Sequence, residues 1–481
     1  MLAVANVLGL LLASFSASCL LPLACSLWFS DGQWPCFLIT AAVGAGCGAL
    51  LAGATLRFRR ELKPRDGFLL VTLAWVLLPA LAALPLLLSV RGLTVTGAFF
   101  EAMSGLTTTG STVLNGLDTL APSVNFWRHL LEWMGGLGII VMALAVMPLL
   151  GVGGMQLYKG LAPGSKDERL ALRITETAKN LWTIYVVLTA AGIVSLRLCG
   201  MSWFDAVCHA FSAVGLGGFS THDRSIAYFN SPAIELVLMA LMVIAALNFG
   251  RHIIALRRLS LATYRQDPEA KAIFLVLALS VIGVATLLSA HGVYADFLPA
   301  LRYAGFNVIS QATTSGLTSV DFQQWPVFAP WWMLFLSCIV CSTGSTGGGI
   351  KMFRTLLLAR QAGREMQLLI HPAAVAPLRI GGRPIPDGVG ASVLAFIFVY
   401  FMTVTLLTFA MLLTDMSLAD AAGAVVASIN NTAHGFGAPG AVHNFHSLSS
   451  VQIWLCTAAM LLGRLEVFSV IVLFRPAYWR R

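Results

Sequence analysis

The sequence predicts an all-α integral membrane protein in which an N-terminal two-helix hairpin precedes four tandem units in a pseudo-fourfold arrangement around one pore. The first observation is composition: 58% of the 481 residues are hydrophobic and 11% are charged, whereas soluble chains carry about 25% charged residues. The second is that the apolar runs are long and continuous, which excludes a barrel of short alternating strands. The third is that one order of segments recurs four times along the chain.

The basic residues cluster at a few places, which predict the topology. The net charge is +9, and five, five, five, six and three of the 30 Lys and Arg residues fall in segments 57–65, 159–179, 251–271, 351–383 and 475–481. Cytoplasmic loops carry the excess of Lys and Arg in membrane proteins, so these segments and both termini are predicted to be cytoplasmic. Scattered loops do not form the continuous basic face that nucleic acids require, which excludes nucleic acid as a partner.

The first 66 residues contain two apolar runs, at 4–29 and 36–56, which the short polar sequence SDGQWP separates. Each run is long enough to cross a bilayer as a helix, so the pair predicts a helical hairpin. No basic residue precedes Arg57, and a secretory signal peptide normally begins with basic residues. The first helix is therefore expected to stay in the protein.

The remaining chain divides into four units with the same order of segments. Each has a long apolar span, a short apolar segment, a polar turn that contains glycine, and a second long span. The short segments hold roughly ten residues, too few to cross a bilayer, so they are predicted to be re-entrant pore helices. The total is ten spans and four half helices. The predicted units cover residues 67–158, 159–270, 271–388 and 389–481.

The four turns are the most informative segments of the chain. They read TTTGST at 107–112, GLGGFST at 215–221, TTSGLTS at 313–319 and TAHGFG at 432–437. Irregular backbone survives at membrane depth only where it is buried in protein or faces a water-filled cavity, so the turns predict a pore. The alignment of the units places four glycines at equivalent positions: Gly110, Gly218, Gly316 and Gly435.

The chemistry of such turns favours a monovalent cation. Rings of backbone carbonyls can replace the hydration shell of an ion, and glycine permits the backbone angles that a tight turn needs. Each half helix directs its C-terminal end, the negative pole of its dipole, toward the turn. The turns carry no Asp or Glu, whereas a divalent ion would favour carboxylate ligands. The spans show no paired nucleophile and base, so we do not expect an enzyme.

Several long motifs together resemble the TrkH family of bacterial potassium-uptake proteins, within the Trk, Ktr and HKT superfamily. They are the four turns, WMGGLGIIVMALAVMPLLGVGG at 133–154, STGSTGGGIKMFR at 342–354 and GRLEVFSVIVLFRPAYWR at 463–480. The resemblance covers essentially the whole chain. It implies a multi-pass K⁺ translocation subunit of the bacterial inner membrane, with one selectivity filter per subunit and a homodimeric assembly.

The resemblance also implies which residues contact K⁺, mainly through backbone carbonyls. They are Thr108, Thr109, Gly110, Leu216, Gly217, Gly218, Thr314, Ser315, Gly316, Ala433, His434 and Gly435. The four glycines point to potassium within the family, because the sodium-preferring plant relatives resemble this pattern except for a serine at the first glycine position. His434 leaves two interpretations open: its side chain points behind the filter, or its protonation repels cations near pH 6.5, its ordinary pKa.

A second glycine-rich run, STGSTGGGIK at 342–351, is not a phosphate-binding loop, because it lacks the GxxxxGK[ST] spacing and follows a hydrophobic span. The resemblance implies an intramembrane gate loop below the filter. Its predicted residues are Gly344, Ser345, Thr346, Gly347, Gly348 and Gly349, with Lys351 at the inner mouth. Arg464 stands alone in an apolar run. It either forms a structural pair, with another side chain or with carbonyls, or faces the cavity below the filter and raises the barrier when the gate is shut.

Three acids follow three of the turns: Asp118, Asp223 and Asp321. They either concentrate cations at the outer mouth or serve only as solvated residues that cap turns. Asn430 and Asn431 end the fourth half helix and are expected to support the filter backbone. Asn248 either lines the cavity or forms an interhelical hydrogen bond.

Two transport mechanisms remain open at this point: a gated K⁺ conduit, and a secondary transporter coupled to H⁺ or Na⁺. Coupled transporters typically show two inverted halves, which the four units do not resemble. K⁺ is the expected transported ion, and no organic cofactor is expected in this chain. The resemblance implies a cytosolic TrkA-type regulatory ring that binds NAD(H) or ATP/ADP and docks on the basic loops, with membrane lipid around the spans.

Overall fold

The computed structural model describes residues 1–60, 62–150, 167–374, 376–435, 437 and 444–480. The predicted boundary between the first two units, at 158, lies outside these residues, as does Arg481. Almost all regular structure in the described chain is helical, and the prediction of an all-helical membrane protein is confirmed. A short β-hairpin pairs β1 (Arg379–Ile380) with β2 (Arg383–Pro384) in antiparallel register.

The described residues form 20 α-helices, of which ten lie in the first part of the chain. They are α1 (Leu2–Ser16), α2 (Leu20–Phe29), α3 (Trp34–Ala54), α4 (Pro64–Ser89), α5 (Val95–Leu106), α6 (Pro122–Leu150), α7 (Asp167–Leu198), α8 (Trp203–Gly215), α9 (Pro232–Ala246) and α10 (Phe249–Arg258).

Ten further helices follow. They are α11 (Ala262–Arg265), α12 (Pro268–Ala290), α13 (Phe297–Ala312), α14 (Phe328–Ile339), α15 (Met352–Ile370), α16 (Asp387–Leu412), α17 (Leu418–Asn430), α18 (Ser450–Arg464), α19 (Phe468–Ile471) and α20 (Pro476–Trp479).

The number of helices that can cross a membrane differs from the ten predicted spans. Among the described residues, six helices are long and apolar enough, or eight if each of two bent helix pairs counts as one span. One predicted span is broken: α14 has only 12 residues and is followed by the glycine-rich segment 342–351. Glycines and small polar residues end the helix there, so the third unit has no continuous second span.

The N-terminal hairpin packs α1 against α3 and carries the buried polar side chain of Asn6. The side-chain amide of Asn6 donates to the carbonyl oxygen of Ala52 at 2.7 Å, and its oxygen accepts from Nε of Arg59 at 3.1 Å. A buried polar group is stable only with such partners. These bonds tie the start of the first helix to the first basic segment.

Four short helices, α5, α8, α13 and α17, lie in the interior of the bundle. Three begin with a hydroxyl cap: Thr94, Ser202 and Ser417 each accept a hydrogen bond from a backbone N–H three residues later. Such caps satisfy backbone donors that the first helical turn leaves unpaired. The helices end where the four polar turns begin, so local sequence accounts for both ends of α5, α8 and α17 and for the C-terminal end of α13.

Two helix pairs are sharply broken. The axes of α9 and α10 meet at 102°, as do those of α18 and the segment Phe468–Phe474. In each case the break frees backbone groups that a straight helix would have paired. Phe249 at the first break donates its N–H to the carbonyl oxygen of Gly344 at 3.1 Å, so the broken helix binds the glycine-rich segment.

Candidate functional site

The four turns begin with the same backbone conformation. In each, a residue one or two positions beyond the short helix has a left-handed φ: 50° at Thr108, 54° at Leu216, 62° at Thr314 and 54° at Asn431. The N–H of the next residue then donates to a carbonyl five residues earlier. These bonds join Thr109 to Ser104, Gly217 to Ser212, Ser315 to Ser310 and Thr432 to Ala427, at 2.8–2.9 Å.

This pattern fixes the equivalence of the turns and corrects the predicted register of the fourth. Gly110, Gly218 and Gly316 each stand two residues after the left-handed residue. The residue two after Asn431 is Ala433, so Ala433, and not Gly435, occupies the fourth equivalent position. The predicted alignment on Gly435 is therefore two residues too late. The end of α17 sets the register of the fourth turn, whereas the prediction aligned the glycines of the four turns. The fourth counterparts of the filter residues are Asn431, Thr432 and Ala433.

The first three turns contact one another in chain order through backbone oxygen. A Cβ atom placed on Gly110 would lie 2.0 Å from the carbonyl oxygen of Gly217, and one on Gly218 would lie 2.1 Å from that of Ser315. The two glycines have φ values of 80° and 100°, which side chains strongly disfavour. Glycine is therefore required at these positions both by the backbone angle and by the approach of a carbonyl.

The third and fourth turns meet differently. The nearest atoms to a Cβ placed on Gly316 belong to Ala433: its Cβ at 2.4 Å, its nitrogen at 2.8 Å and its Cα at 3.1 Å. The contact back to the first turn is a hydrogen bond, in which the hydroxyl of Ser111 donates to the carbonyl oxygen of Ala433 at 2.9 Å. His434 follows at the position equivalent to Ser111 and is partly exposed.

Buried side chains hold the second turn from behind. The N–H of Phe219 donates to Oε1 of Glu132 at 2.8 Å, and the N–H of Gly218 donates to the hydroxyl of Ser212 at 2.9 Å. In a trans peptide the carbonyl points away from the following N–H. The carbonyls of Gly217 and Gly218 are thus directed away from α6 and α8, which places the Gly217 oxygen against Gly110.

A buried ion pair supports the first turn. Nε of Arg128 lies 2.8 Å from Oε1 of Glu101, with exposed side-chain fractions of 1% and 0%. Glu101 also accepts from the N–H of Val113 at 3.0 Å and from the hydroxyl of Thr112. The guanidinium of Arg128 lies 4.1 Å from the ring centroid of Phe219. The pair therefore connects the C-terminal ends of the first and second turns.

The sequence reasoning did not identify Glu101, Arg128 or Glu132. A signal was present: Arg128 and Glu132 are four residues apart in an apolar run, so they share one face of a helix. Charged residues in a span normally face the interior and find partners. The partner of Arg128 comes from a separate short helix, which spacing within α6 does not reveal.

The glycine-rich segment 342–351 lies directly against the C-terminal ends of three short helices. The hydroxyl of Thr346 donates to the carbonyl oxygen of Val214 at 3.1 Å, and the N–H of Gly348 donates to the hydroxyl of Thr314 at 3.0 Å. A Cβ on Gly348 would lie 2.0 Å from the carbonyl oxygen of Asn430. The segment thus fills the space next to the C-terminal ends of α8, α13 and α17, where the second, third and fourth turns begin.

Polar groups from the residue before α10 and from α12 hold the beginning of this segment. The side-chain amide of Asn248 donates to the carbonyl oxygen of Thr343 at 2.6 Å, which accounts for the polar residue at the break between α9 and α10. The buried carboxylate of Glu269 accepts from the N–H of Thr343 at 3.0 Å and from the hydroxyl of Ser342. Glu269 is a further buried acid that the sequence reasoning missed.

Arg464 binds backbone carbonyls on two elements. It donates from one terminal nitrogen to Thr346 at 2.9 Å and from the other to Gly135 at 3.2 Å. The Thr346 carbonyl belongs to the glycine-rich segment. Arg464 therefore has carbonyl partners, as one interpretation of this residue predicts, and it also lies beside the predicted gate loop, as the other predicts. Glu466 is not its partner, because Glu466 pairs with Arg354 at 2.5 Å. Lys351, expected at the inner mouth, is buried and has a φ of 77°.

The other asparagines and the outer acids have protein partners. The amide of Asn431 donates to Thr109 Oγ1 at 3.0 Å, and Asn430 accepts from the hydroxyl of Tyr400 at 2.6 Å. Asp321 caps a short turn by accepting from the N–H of Gln323. Asp223 accepts from the N–H of Leu117 at 3.0 Å. A role of the acids in concentrating cations stays a prediction.

Asp118, in the loop after the first turn, pairs with His222, in the loop after the second turn. Nδ1 of His222 lies 2.5 Å from Oδ1 of Asp118, and Nε2 lies 3.5 Å from Oδ1 of Asp205. The His222 ring stacks on Tyr228 with centroids 3.5 Å apart. Burial by itself lowers the pKa of His222, but hydrogen bonds and charge from Asp205 and Asp118 outweigh burial and raise this pKa above 6.5. Protonated His222 therefore bridges the loops that follow the first and second turns.

The stability of the loops that follow the first and second turns is expected to depend on pH through His222. Since the folded-state pKa is raised, the stabilisation is complete below pH 6.5 and is lost as the pH rises through the raised value. Thermal unfolding of the purified protein, followed from about pH 6 to about pH 8.5, should show a loss of about 0.5–1 kcal/mol. His222→Gln should flatten this part of the profile. An identical slope in the variant would assign the pH dependence to other groups.

Comparison with known proteins gives one consistent result. Residues 39–481 match the family model TrkH, described as cation transport protein. The Trk system potassium uptake protein TrkH of Halomonas elongata is 44% identical, with 99% of this chain and 98% of the relative covered. The protein of the same name from Escherichia coli K12 is 42% identical over 99% of both chains. The solved structure of the potassium transporter TrkH from Vibrio parahaemolyticus is similar with a TM-score of 0.92 at 39% identity, covering 100% of this chain and 99% of the other.

Proposed function

Because the chain belongs to the TrkH family of cation transport proteins, we propose that it takes up potassium through one pore formed by its four turns in pseudo-fourfold arrangement. One observation carries this proposal: the carbonyl oxygens of Gly217 and Ser315 lie against the glycines of the neighbouring turns. Carbonyl oxygens arranged in this way can take over the hydration shell of a cation. The relatives named above, described as potassium uptake proteins, make K⁺ the cation of choice.

The electrostatics of the turns suit a monovalent cation that must also leave again. The short helices end at the turns, so their partial negative charges face the ion. The turns themselves contribute uncharged oxygens, since none of the four contains Asp or Glu. Glu132 and the Glu101–Arg128 pair hold the backbone from behind and orient its carbonyls. Selection then rests on the number and placement of backbone oxygens.

The segment 342–351 is the gate in this proposal. It occupies the space beside the C-terminal ends of three short helices, which in this arrangement is the path of an ion that has passed the filter. Arg464 holds the segment through Thr346 and adds a positive charge to the path. Opening requires the segment to leave these contacts.

The basic segments support a proposal for orientation in the membrane, and the family resemblance supports one for assembly and regulation. We place both termini in the cytoplasm and the protein in the bacterial inner membrane, as the positive-inside rule predicts. A homodimer, and a cytosolic TrkA-type ring that binds NAD(H) or ATP/ADP, are the partners that the family resemblance implies. The ring would act on the helix that follows the gate segment, α15, which carries the basic residues Arg354, Arg360 and Arg364.

Uptake into liposomes tests the proposal and separates it from coupled transport. The purified protein is reconstituted into liposomes loaded with K⁺, and entry of radioactive Rb⁺ is followed without any proton or sodium gradient. Uptake that follows the K⁺ and Rb⁺ gradients alone supports a conduit. Uptake that appears only when a proton or sodium gradient is imposed would instead establish a coupled transporter. Liposomes without protein give the background.

A further inference from the structure

The three glycine turns and the alanine turn do not present the same atom to their neighbours. At Gly110 and at Gly218 the closest atom of the next turn is a carbonyl oxygen, at 2.0 and 2.1 Å from an ideal Cβ position. At Gly316 the closest atom is the methyl carbon of Ala433, at 2.4 Å, and the three closest atoms include no carbonyl oxygen. One of these three contacts between successive turns therefore has a methyl group where the other two have oxygen.

Backbone conformation explains the difference. Gly110, Gly218 and Gly316 have φ values of 80°, 100° and 81°, whereas Ala433 is not among the residues with positive φ. The φ angle of a residue sets the orientation of the peptide before it, and so the direction of the preceding carbonyl. A side chain disfavours the positive range, so the peptide before Ala433 does not turn as its counterparts do.

The carbonyl of Ala433 itself is also engaged. It accepts the hydroxyl of Ser111 at 2.9 Å, and both residues are buried. A carbonyl that accepts a neutral hydrogen bond has part of its capacity for a cation occupied. Two carbonyls of the fourth turn, those of Thr432 and Ala433, thus differ from their counterparts in the other turns.

We infer that Ala433 is a specificity-determining residue, which leaves the ion with fewer backbone oxygens at this level and lowers the preference of the protein for K⁺ over Na⁺. The inference rests on the proposed function, since it concerns the ion of that same pore. Carbonyl oxygens replace the hydration shell of K⁺ in such a filter, and their number is one determinant of the preference for K⁺ over Na⁺. Removing the methyl group allows the fourth turn to adopt the conformation of the other three.

Ala433→Gly tests the inference. The parent and the variant are reconstituted into liposomes, and the ratio of K⁺ to Na⁺ permeability is measured from the reversal potential under bi-ionic conditions. The ratio is expected to rise about two- to tenfold, the range that one neutral hydrogen bond is worth. The matched control is Ala421→Gly, the same change at a buried site in α17, which should keep the ratio of the parent. An unchanged ratio in folded Ala433→Gly overturns the inference.

A second variant and a second readout cover the remaining outcomes. If Ala433→Gly does not assemble, Ser111→Ala decides, because it releases the Ala433 carbonyl and should shift the ratio in the same direction; no shift overturns the inference. The second readout is thermal stabilisation of purified protein by K⁺ and by Na⁺. If the parent does not transport Rb⁺, the proposed function fails, and this readout still decides: a larger advantage of K⁺ over Na⁺ in Ala433→Gly supports the inference, and an equal advantage overturns it.

Discussion

Replacing Arg128 with methionine is expected to lower the free energy of unfolding by about 3–5 kcal/mol, the range measured when one partner of a buried ion pair is removed. The reason is that Glu101 would remain as an uncompensated charge in the interior, since its side chain is 0% exposed. The first turn would lose its support at the same time, because Glu101 accepts from the N–H of Val113. The measurement is thermal and denaturant unfolding of the protein in detergent, followed by tryptophan fluorescence.

Two further variants show whether the ion pair is the cause. Glu101→Gln combined with Arg128→Met removes both charges and should recover part of the loss. Arg60→Met is the control, because Arg60 pairs with Asp66 at 2.9 Å and the two side chains are 42% and 9% exposed, so water reaches the carboxylate that is left. Its loss should be clearly smaller. Equal losses in Arg128→Met and Arg60→Met would show that burial of the first pair does not set its energetic role.

Replacing Arg464 with alanine is expected to raise the resting K⁺ flux at least about tenfold. The guanidinium bond to the Thr346 carbonyl is charge-assisted and contributes about 1.5–3 kcal/mol, and about 1.4 kcal/mol already shifts a two-state equilibrium tenfold. Loss of the positive charge also lowers the barrier for a cation beside the segment. Rb⁺ uptake into liposomes, without any added regulatory partner, measures the resting flux.

Arg464→Lys separates the two contributions. Lysine keeps the charge but cannot reach two carbonyls with the rigid fork of arginine. A flux near that of the parent would assign the closed state to charge, and a flux near that of Arg464→Ala would assign it to the hydrogen bonds. An unchanged or lower flux in correctly inserted Arg464→Ala would contradict the role of Arg464 in closing the pore.

The sequence predicted the helical membrane fold and the position of all four turns, because long apolar runs and glycine-containing interruptions are local features. The register of the fourth turn was wrong for a physical reason. The equivalent position is defined by its distance from the residue with left-handed φ at the end of the short helix, which is Asn431 in the fourth turn. Glycine often occupies that position but does not define it. In TAHGFG the glycine stands too late, and alanine takes its place.

The supporting residues of the turns were beyond the reach of sequence for a different reason. Glu132 is sequence-distant from Phe219, and Glu269 is sequence-distant from Thr343, yet each accepts a backbone N–H from the other element. Such contacts depend on how spans pack, which no local pattern encodes. By contrast, Arg464 was recognised because a lone charge in an apolar run requires a buried partner.

The ion pair between Arg354 and Glu466 completes a closed ring of contacts among α15, the broken end of α18 and the glycine-rich segment. Arg354 stands in the first turn of α15, immediately after the glycine-rich segment, while Glu466 stands two residues after Arg464 at the break of α18. Following the contacts leads from the segment into α15, across the ion pair to the broken helix, and through Arg464 back to Thr346. A displacement of α15 is therefore expected to move the glycine-rich segment and Arg464 together, and not either of them alone.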